Sequence, residues 1–292
     1  MSEKWINEER LVRALEPVHA GLVPGLCLFE AIDSTNAEAL RRLKSMQSSR
    51  LPPPMAFIAR TQTAGRGRRG REWMSEPDAG LYMSLLRSFD LVPDALQGLS
   101  LVVGLAVYEA LKTLVGIGEE REGISLKWPN DILYQGCKLG GILLELQRDE
   151  ALSHVVIGIG LNLDLPPDVD SLLDRPTADL KQITGERVEP VKLVTALLNQ
   201  LGRDIAVFEE EGFAPFIERW NRVDAYLGKN VRLQQDSKWT EGISRGVDSS
   251  GGLLLEPLND DGVTSHATGE GGLLRFEGGE LSPTLRLNED RE

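Results

Sequence analysis

Residues 124–147 read ISLKWPNDILYQGCKLGGILLELQ. Apolar and β-branched residues fill three short runs, separated by turn formers, Pro129-Asn130 at the first break and Gln135-Gly136 at the second. The pattern predicts three extended segments joined by turns. Lys127 and Lys138 stand inside these runs. Burial penalises an ammonium group unless an anion compensates it, so two lysines in strand-like surroundings predict a compensating anion nearby.

Outward from this stretch, HVVIGIGLNL (154–163) adds another strand, and AFIARTQT (56–63) and GLYMSLLRSF (80–89) predict two more. Between that last pair lies TAGRGRRGREW (63–73), where four arginines and three glycines occupy seven consecutive positions. GLCLFEAI (25–32) reads as a strand ending at Asp33, and 7–15 and 97–115 carry apolar groups at helical spacing. In DSTNAEALRRLKSM (33–46), Thr35 and Glu38 stand in capping-box relation and predict a helix over 36–46. An acidic, proline-bearing loop covers 164–179 and a helical pattern follows over roughly 190–222. From Tyr226 the texture changes to short strands and turns, which predicts a small antiparallel barrel or sandwich.

The chain has 292 residues, 41% of them hydrophobic, and a formal net charge of −13. That length supports one large core and a second small domain. The acidic balance repels nucleic acid and anionic membranes, so the arginine-rich loop is a local exception. LSLVVGLAVYEAL (99–111) is too short for a membrane span and contains Glu109, so a cytoplasmic protein is expected. Cys27 and Cys137, with His19, His154 and His266, have no spacing for a zinc site or a disulfide framework.

Two motif matches are refused on context. GRGRRG fits G-x-G-x-x-G, but Trp73, Pro77 and Gly80 oppose the helix that a dinucleotide fingerprint must open. GISRG (242–246) fits G-x-S-x-G, yet Ser244 lies in a strand-rich segment with no helix for a nucleophile elbow. What the loop does offer is an anion clamp, because glycines free backbone N–H groups and arginines present planar donor forks. A solvated basic turn is the plainer alternative. Trp73, placed to stack on a ring, together with Lys127 and Lys138 favours the clamp.

DSTN, GRGRRG, KWPNDI, KLGGILLE and GIGLNL occur in this order, and GISRGVDSSGGLLLE with GGELS follow. In these motifs the chain resembles the biotin protein ligases, also called biotin-[acetyl-CoA-carboxylase] ligases. KWPND with KLGGI sets it apart from the lipoate-transferring relatives. The resemblance implies an α/β (α+β) fold, with a central mixed β-sheet and flanking helices over 1–225 and a small SH3-like barrel over 226–292. It implies an enzyme that activates biotin with ATP to biotinyl-5'-AMP, with Mg²⁺ as cofactor, and transfers biotin to a lysine of a biotin carboxyl carrier protein. A lipoate or octanoyl transferase, and a non-catalytic polyanion binder, are the alternatives.

Residue by residue, the resemblance places Ser34, Thr35, Gln62, Gly65, Gly141 and Gly158 around biotin, and Arg66 and Arg68 over its carboxylate and the phosphate. Lys138 takes the role of the essential lysine, with Arg68 beside it in catalysis. Arg69, Trp73, Lys127, Asn130 and Asn162 are implied on the ATP and adenylate side, and Asp131 as a neighbour of the metal. Only 32 residues precede DSTN, fewer than a winged helix needs, so a ligase without DNA binding is expected. A homodimer is left open. GGELSPTLR (278–286) departs from the family's C-terminal pattern, which leaves a role for Arg286 in ATP contact unassigned.

Overall fold

The computed structural model describes residues 5–15, 25–46, 53–115, 123–149, 152–167, 176–235, 237–258 and 272–284. Seven strands form the main sheet: β1 (Gly25–Phe29), β2 (Met55–Ala59), β3 (Gly80–Phe89), β4 (Ile124–Lys127), β5 (Asp131–Tyr134), β6 (Cys137–Arg148) and β7 (Ser153–Asn162). Their order is β1-β2-β3-β7-β6-β5-β4. β1 and β2 are parallel and every other pair is antiparallel, so the sheet is mixed. The opening stretch supplies β4, β5 and β6. Gln135 and Gly136 both have positive φ, as a two-residue turn matching the twist of a hairpin requires.

Alternation along the strands divides the core between the two faces. Phe57, Leu86 and Val156 pack with Ala39 of α2 (Thr35–Ser45) on one side. Their neighbours Ile58, Leu85 and Ile157 join the larger core on the other. There the sheet is covered by α3 (Leu99–Val115) and, after α1 (Glu8–Ala14) and the short α4 (Leu180–Thr184), by α5 (Pro190–Glu211). Pro93–Leu114, which includes most of α3, is long and apolar enough for a membrane span by length and composition, contrary to the expectation that it is too short, but Val102, Leu105, Ala106 and Val107 are fully buried in this core. On the α2 side, β7 continues past Val156 with Gly158 and Gly160, opposite Leu143 and Gly141 of β6. The glycines leave part of the sheet bare, and a cleft opens there.

Three local expectations change. The cap of α2 is Ser34, whose Oγ accepts from the Ala37 N–H at 3.4 Å, because Thr35 turns its own N–H and hydroxyl toward Gln62. Strand β1 stops at Phe29, and beyond it only an isolated bridge joins Ile32 to Gln62. The helical pattern over 190–222 breaks after Glu211, because Gly212 leaves the helical conformation and Pro215 lacks the N–H to continue it. The chain resumes as α6 (Ile217–Val223). Helix α4 was not anticipated; Asp179 caps it by accepting from the Gln182 N–H at 2.9 Å.

A second sheet is antiparallel throughout: β8 (Asn230–Gln235), β9 (Lys238–Val247), β10 (Leu253–Pro257), β11 (Leu274–Phe276) and β12 (Glu280–Pro283), in the order β11-β10-β9-β8-β12. Trp128 anchors it to the first sheet, its indole N–H donating to the Gly251 carbonyl at 3.1 Å. Ser244 sits buried within β9, in extended backbone, and Asp248 is held by Arg275. His19, His266 and Arg286 lie outside the described residues.

Candidate active site

The bare part of the sheet floors a cleft of about 350 Å³. Thirteen of the residues expected from the sequence line it: Ser34, Thr35, Gln62, Arg66, Arg68, Arg69, Trp73, Lys127, Asn130, Asp131, Lys138, Gly141 and Gly158. Gly65 lies just behind the lining, packed so closely that a Cβ there would sit 2.5 Å from the Trp73 carbonyl oxygen and 2.7 Å from Ser75 Oγ.

Trp73 lies against the glycine floor. A Cβ on Gly160 would meet its ring at 2.7 Å, and one on Gly141 at 3.2 Å. The Lys138 ammonium stands 5.4 Å from the ring centroid, within cation–π range. The Trp73 indole N–H is buried against this floor with no hydrogen-bond partner.

At one end of the cleft, the predicted anion proves to be a side chain. Asp131 pairs with Lys138, and its second oxygen lies 3.2 Å from Lys127 Nζ. Burial works against the Asp131 charge, yet the two ammonium groups outweigh it and hold the carboxyl below the ordinary range. The antiparallel register creates this cluster by placing Lys127 opposite Asp131 and setting Lys138 across from Leu133, two positions further on, at an irregularity in the β5–β6 pairing. Both Asp131 oxygens are therefore engaged. Among the described residues, no group of three or more His, Cys, Asp or Glu could hold a metal ion. Asp131 is a counter-ion of lysines, and this donor set does not fit the Mg²⁺ neighbour expected of it.

Asn162 also departs from expectation. It is absent from the cleft lining, and its amide donates to the carbonyls of Lys138 at 3.1 Å and Ala178 at 2.9 Å. It braces the backbone of Lys138 instead of facing a nucleotide. Asn130, by contrast, lines the cleft, donates to the Ile142 carbonyl at 2.8 Å and accepts from Arg68 at 2.9 Å.

The arginine-rich loop also lines the cleft, with Arg68 near enough to Asp131 for the carboxylate to act on its guanidinium. It makes one tight turn at Arg68–Gly70 and returns through a bridge between Arg66 and Glu72, with no helix following. Arg66 reaches Glu145 of β6 at 3.2 Å, while Arg69 and Arg71 reach Glu280 of β12 at 3.5 and 2.6 Å. Arg68 is the most enclosed of the four: burial, then the neighbouring Arg69 charge, lowers the affinity of its guanidinium for its proton. An anion entering here would relieve both penalties.

Sequence reasoning missed a polar chain along the floor. Ser84 Oγ lies 2.7 Å from Thr35 Oγ1 and 2.5 Å from Asn36 Oδ1, and Asn36 donates to Glu145 at 2.8 Å. Since Asn36 Oδ1 only accepts, Ser84 gives it the hydroxyl proton. Gly158 has no side chain because Asn36 fills that space. Two signals were readable: Ser84 shares the face of Leu86 by the two-residue period, and Glu145 interrupts an apolar run. Tyr82, on the same face, donates to the Glu76 carbonyl at 3.1 Å, and burial pushes its phenol pKa up.

Fold and site together give an α/β protein with a glycine-floored cleft in which strand-borne lysines and loop-borne arginines gather. The family model for the Biotin/lipoate A/B protein ligase family matches residues 28–162. The chain is 35% identical over 259 residues to the bifunctional ligase/repressor BirA of Escherichia coli (strain K12), covering 88% of this chain and 74% of that protein. It is 35% identical over 226 residues to the biotin--[acetyl-CoA-carboxylase] ligase of Paracoccus denitrificans, covering 76% and 90%. The solved structure of biotin protein ligase from Aquifex aeolicus in complex with biotin and ATP matches with a TM-score of 0.67 at 31% identity, covering 88% of this chain and 97% of that one. The chain belongs to the biotin/lipoate A/B protein ligase family.

Proposed function

We propose that this protein is an ATP-dependent biotin protein ligase. The observation that carries the reading is the pairing, in one cleft, of the Lys127–Asp131–Lys138 cluster with the arginine-rich loop across a glycine and Trp73 floor. A relative named as a biotin--[acetyl-CoA-carboxylase] ligase and a biotin protein ligase structure solved with biotin and ATP support it.

In the first step a biotin carboxylate oxygen attacks the α-phosphorus of ATP, and the bond to the pyrophosphate oxygen breaks, giving biotinyl-5'-AMP and pyrophosphate. In the second, a lysine amine of a biotin carboxyl carrier protein attacks the acyl carbon, AMP leaves, and an amide forms. Both steps build negative charge on oxygens near the phosphorus or the acyl carbon. Fixed cations in a water-poor site stabilise that charge most, because they need no reorganisation as it develops.

Lys138 is placed for this by its strand, by Asp131 and by Asn162 on its carbonyl. Thr35, Gln62 and Ser34 present the polar groups for the biotin ring, with Gly141 and Gly158 beside them on the sheet. Arg66 and Arg68 take the carboxylate and phosphate, with Arg69 and Lys127 at the outer phosphates. Trp73 and Asn130 bound the adenylate. The catalytic unit spans 1–225, and 226–292 forms an SH3-like closing domain that contributes Glu280. Mg²⁺ enters with ATP and no step is assigned to a protein ligand of it. The proposed compartment is the cytoplasm, and neither DNA nor membrane is a partner.

Incubation with ATP, Mg²⁺, biotin and a biotin carboxyl carrier domain should add one biotinyl group to the acceptor by intact-mass spectrometry. No mass gain with biotin, and transfer of lipoate in a parallel reaction, would reject the biotin reading in favour of the lipoate branch of the family.

A further inference from the structure

We infer that the Tyr226 hydroxyl is a binding group for the outer phosphates of ATP, beside Lys127; this rests on the ligase reading above. Tyr226 lines the cleft together with Lys127 and Asp131, although no sequence motif marks it. It belongs to the link between α6 and β8, where the chain passes from the first sheet to the second.

That link is pinned to the strand that carries Lys127. The Ala225 N–H donates to the Leu126 carbonyl at 2.8 Å, and a parallel bridge joins Leu126 to Asp224. The Tyr226 N–H donates to the Asp224 carboxylate at 2.9 Å, and the Tyr226 carbonyl accepts from the Lys229 N–H at 2.9 Å, so the backbone of Tyr226 is held on both sides. The Lys229 ammonium stands 6.0 Å from the ring centroid. The side chain is half-buried, and among the described residues its hydroxyl makes no hydrogen bond. The hydroxyl is near enough to Asp131 for that carboxylate to act on it. Burial first, then the Asp131 and Asp224 charges, push the phenol up, so it is a proton donor throughout the neutral range. A fixed neutral donor next to a strand-borne ammonium suits a phosphate oxygen, because hydrogen bonds to ionised acceptors are the stronger kind.

The test compares wild type with Tyr226→Phe, which keeps the ring and removes only the hydroxyl. In biotin-dependent exchange of labelled pyrophosphate into ATP, the KM for ATP should rise about tenfold, the scale of one hydrogen bond to a charged group, and the KM for biotin should not change. By isothermal titration the affinity for biotinyl-5'-AMP, which has no outer phosphates, should equal that of wild type. An unchanged KM for ATP, or an equal loss for ATP and for biotinyl-5'-AMP, overturns the inference. Absence of exchange in wild type overturns the ligase reading and the inference with it, and is recognised by appearing before any substitution.

Discussion

Lys127 and Lys138 rise from the strands on either side of Asp131 and share its part-buried carboxylate, whereas Arg66, Arg69 and Arg71 hang from a loop and borrow carboxylates from distant strands. The lysine cluster is local: Lys127, Asp131 and Lys138 fall within twelve residues, and hairpin register fixes their geometry. The arginine contacts cross the molecule, from residue 66 to 145 and from residues 69 and 71 to 280. Strand-borne charge is pre-organised and suits stabilisation of a transition state. Loop-borne charge on half-exposed partners is exchangeable and suits capture and retention.

The sharpest way to break this contrast is Lys138→Ala. With the sheet intact, turnover should fall by about 10² to 10³, the loss seen when one pre-organised donor is removed. Steady-state kinetics with folding checked by circular dichroism measures it, and unchanged kcat would remove Lys138 from the chemistry. Gly160→Ala tests whether the floor sets the position of Trp73 between the two groups. The added Cβ meets the indole at 2.7 Å, so the ring must move, and kcat/KM for biotin should fall by about 10²-fold, as for an ångström-scale misplacement. An unaltered KM would mean that the ring is free to shift.

Arg68→Gly addresses retention. Losing the contacts to Asn130 and the Gly279 carbonyl should let the activated acid escape and label bystander lysines, with roughly tenfold more label than wild type for a loss near 1.4 kcal/mol. Equal labelling by wild type would contradict it. The smallest effect concerns Glu280, whose carboxyl Arg71 holds below its ordinary range against a smaller opposing effect of burial. A depressed folded pKa contributes stability above the unfolded value near pH 4.3, lost as pH falls through the lower folded value. The melting temperature of wild type should therefore exceed that of Glu280→Gln by about 2 °C at pH 7, and the gap should close on acidification below about pH 4. A gap that widened there would reverse the assignment.

Much of the site was legible because its residues sit in short motifs with their own physics. The lysines in apolar runs predicted an anion, and Asp131 is that anion, four residues from one and seven from the other. Asn162 shows the limit, since an amide at a strand end looks the same in sequence whether it faces a ligand or braces a neighbouring carbonyl. Asn36 was visible in DSTN but had no assigned partner, because Ser84 and Glu145 meet it only across the sheet. Ser34 caps the helix in place of Thr35 because Gln62, contributed by another segment, claims Thr35.

The sequence by itself determined the strands and turns of 124–147, the change of texture at Tyr226, and thirteen of the side chains that line the cleft, because periodicity, turn residues and charge act over a few positions. Tertiary structure alone decided that two strands are parallel, that glycines on β6 and β7 leave one face of the sheet bare, and that Glu145 and Glu280 close the arginine-rich loop. Those outcomes depend on contacts between residues tens to hundreds of positions apart, whose partners no local pattern encodes.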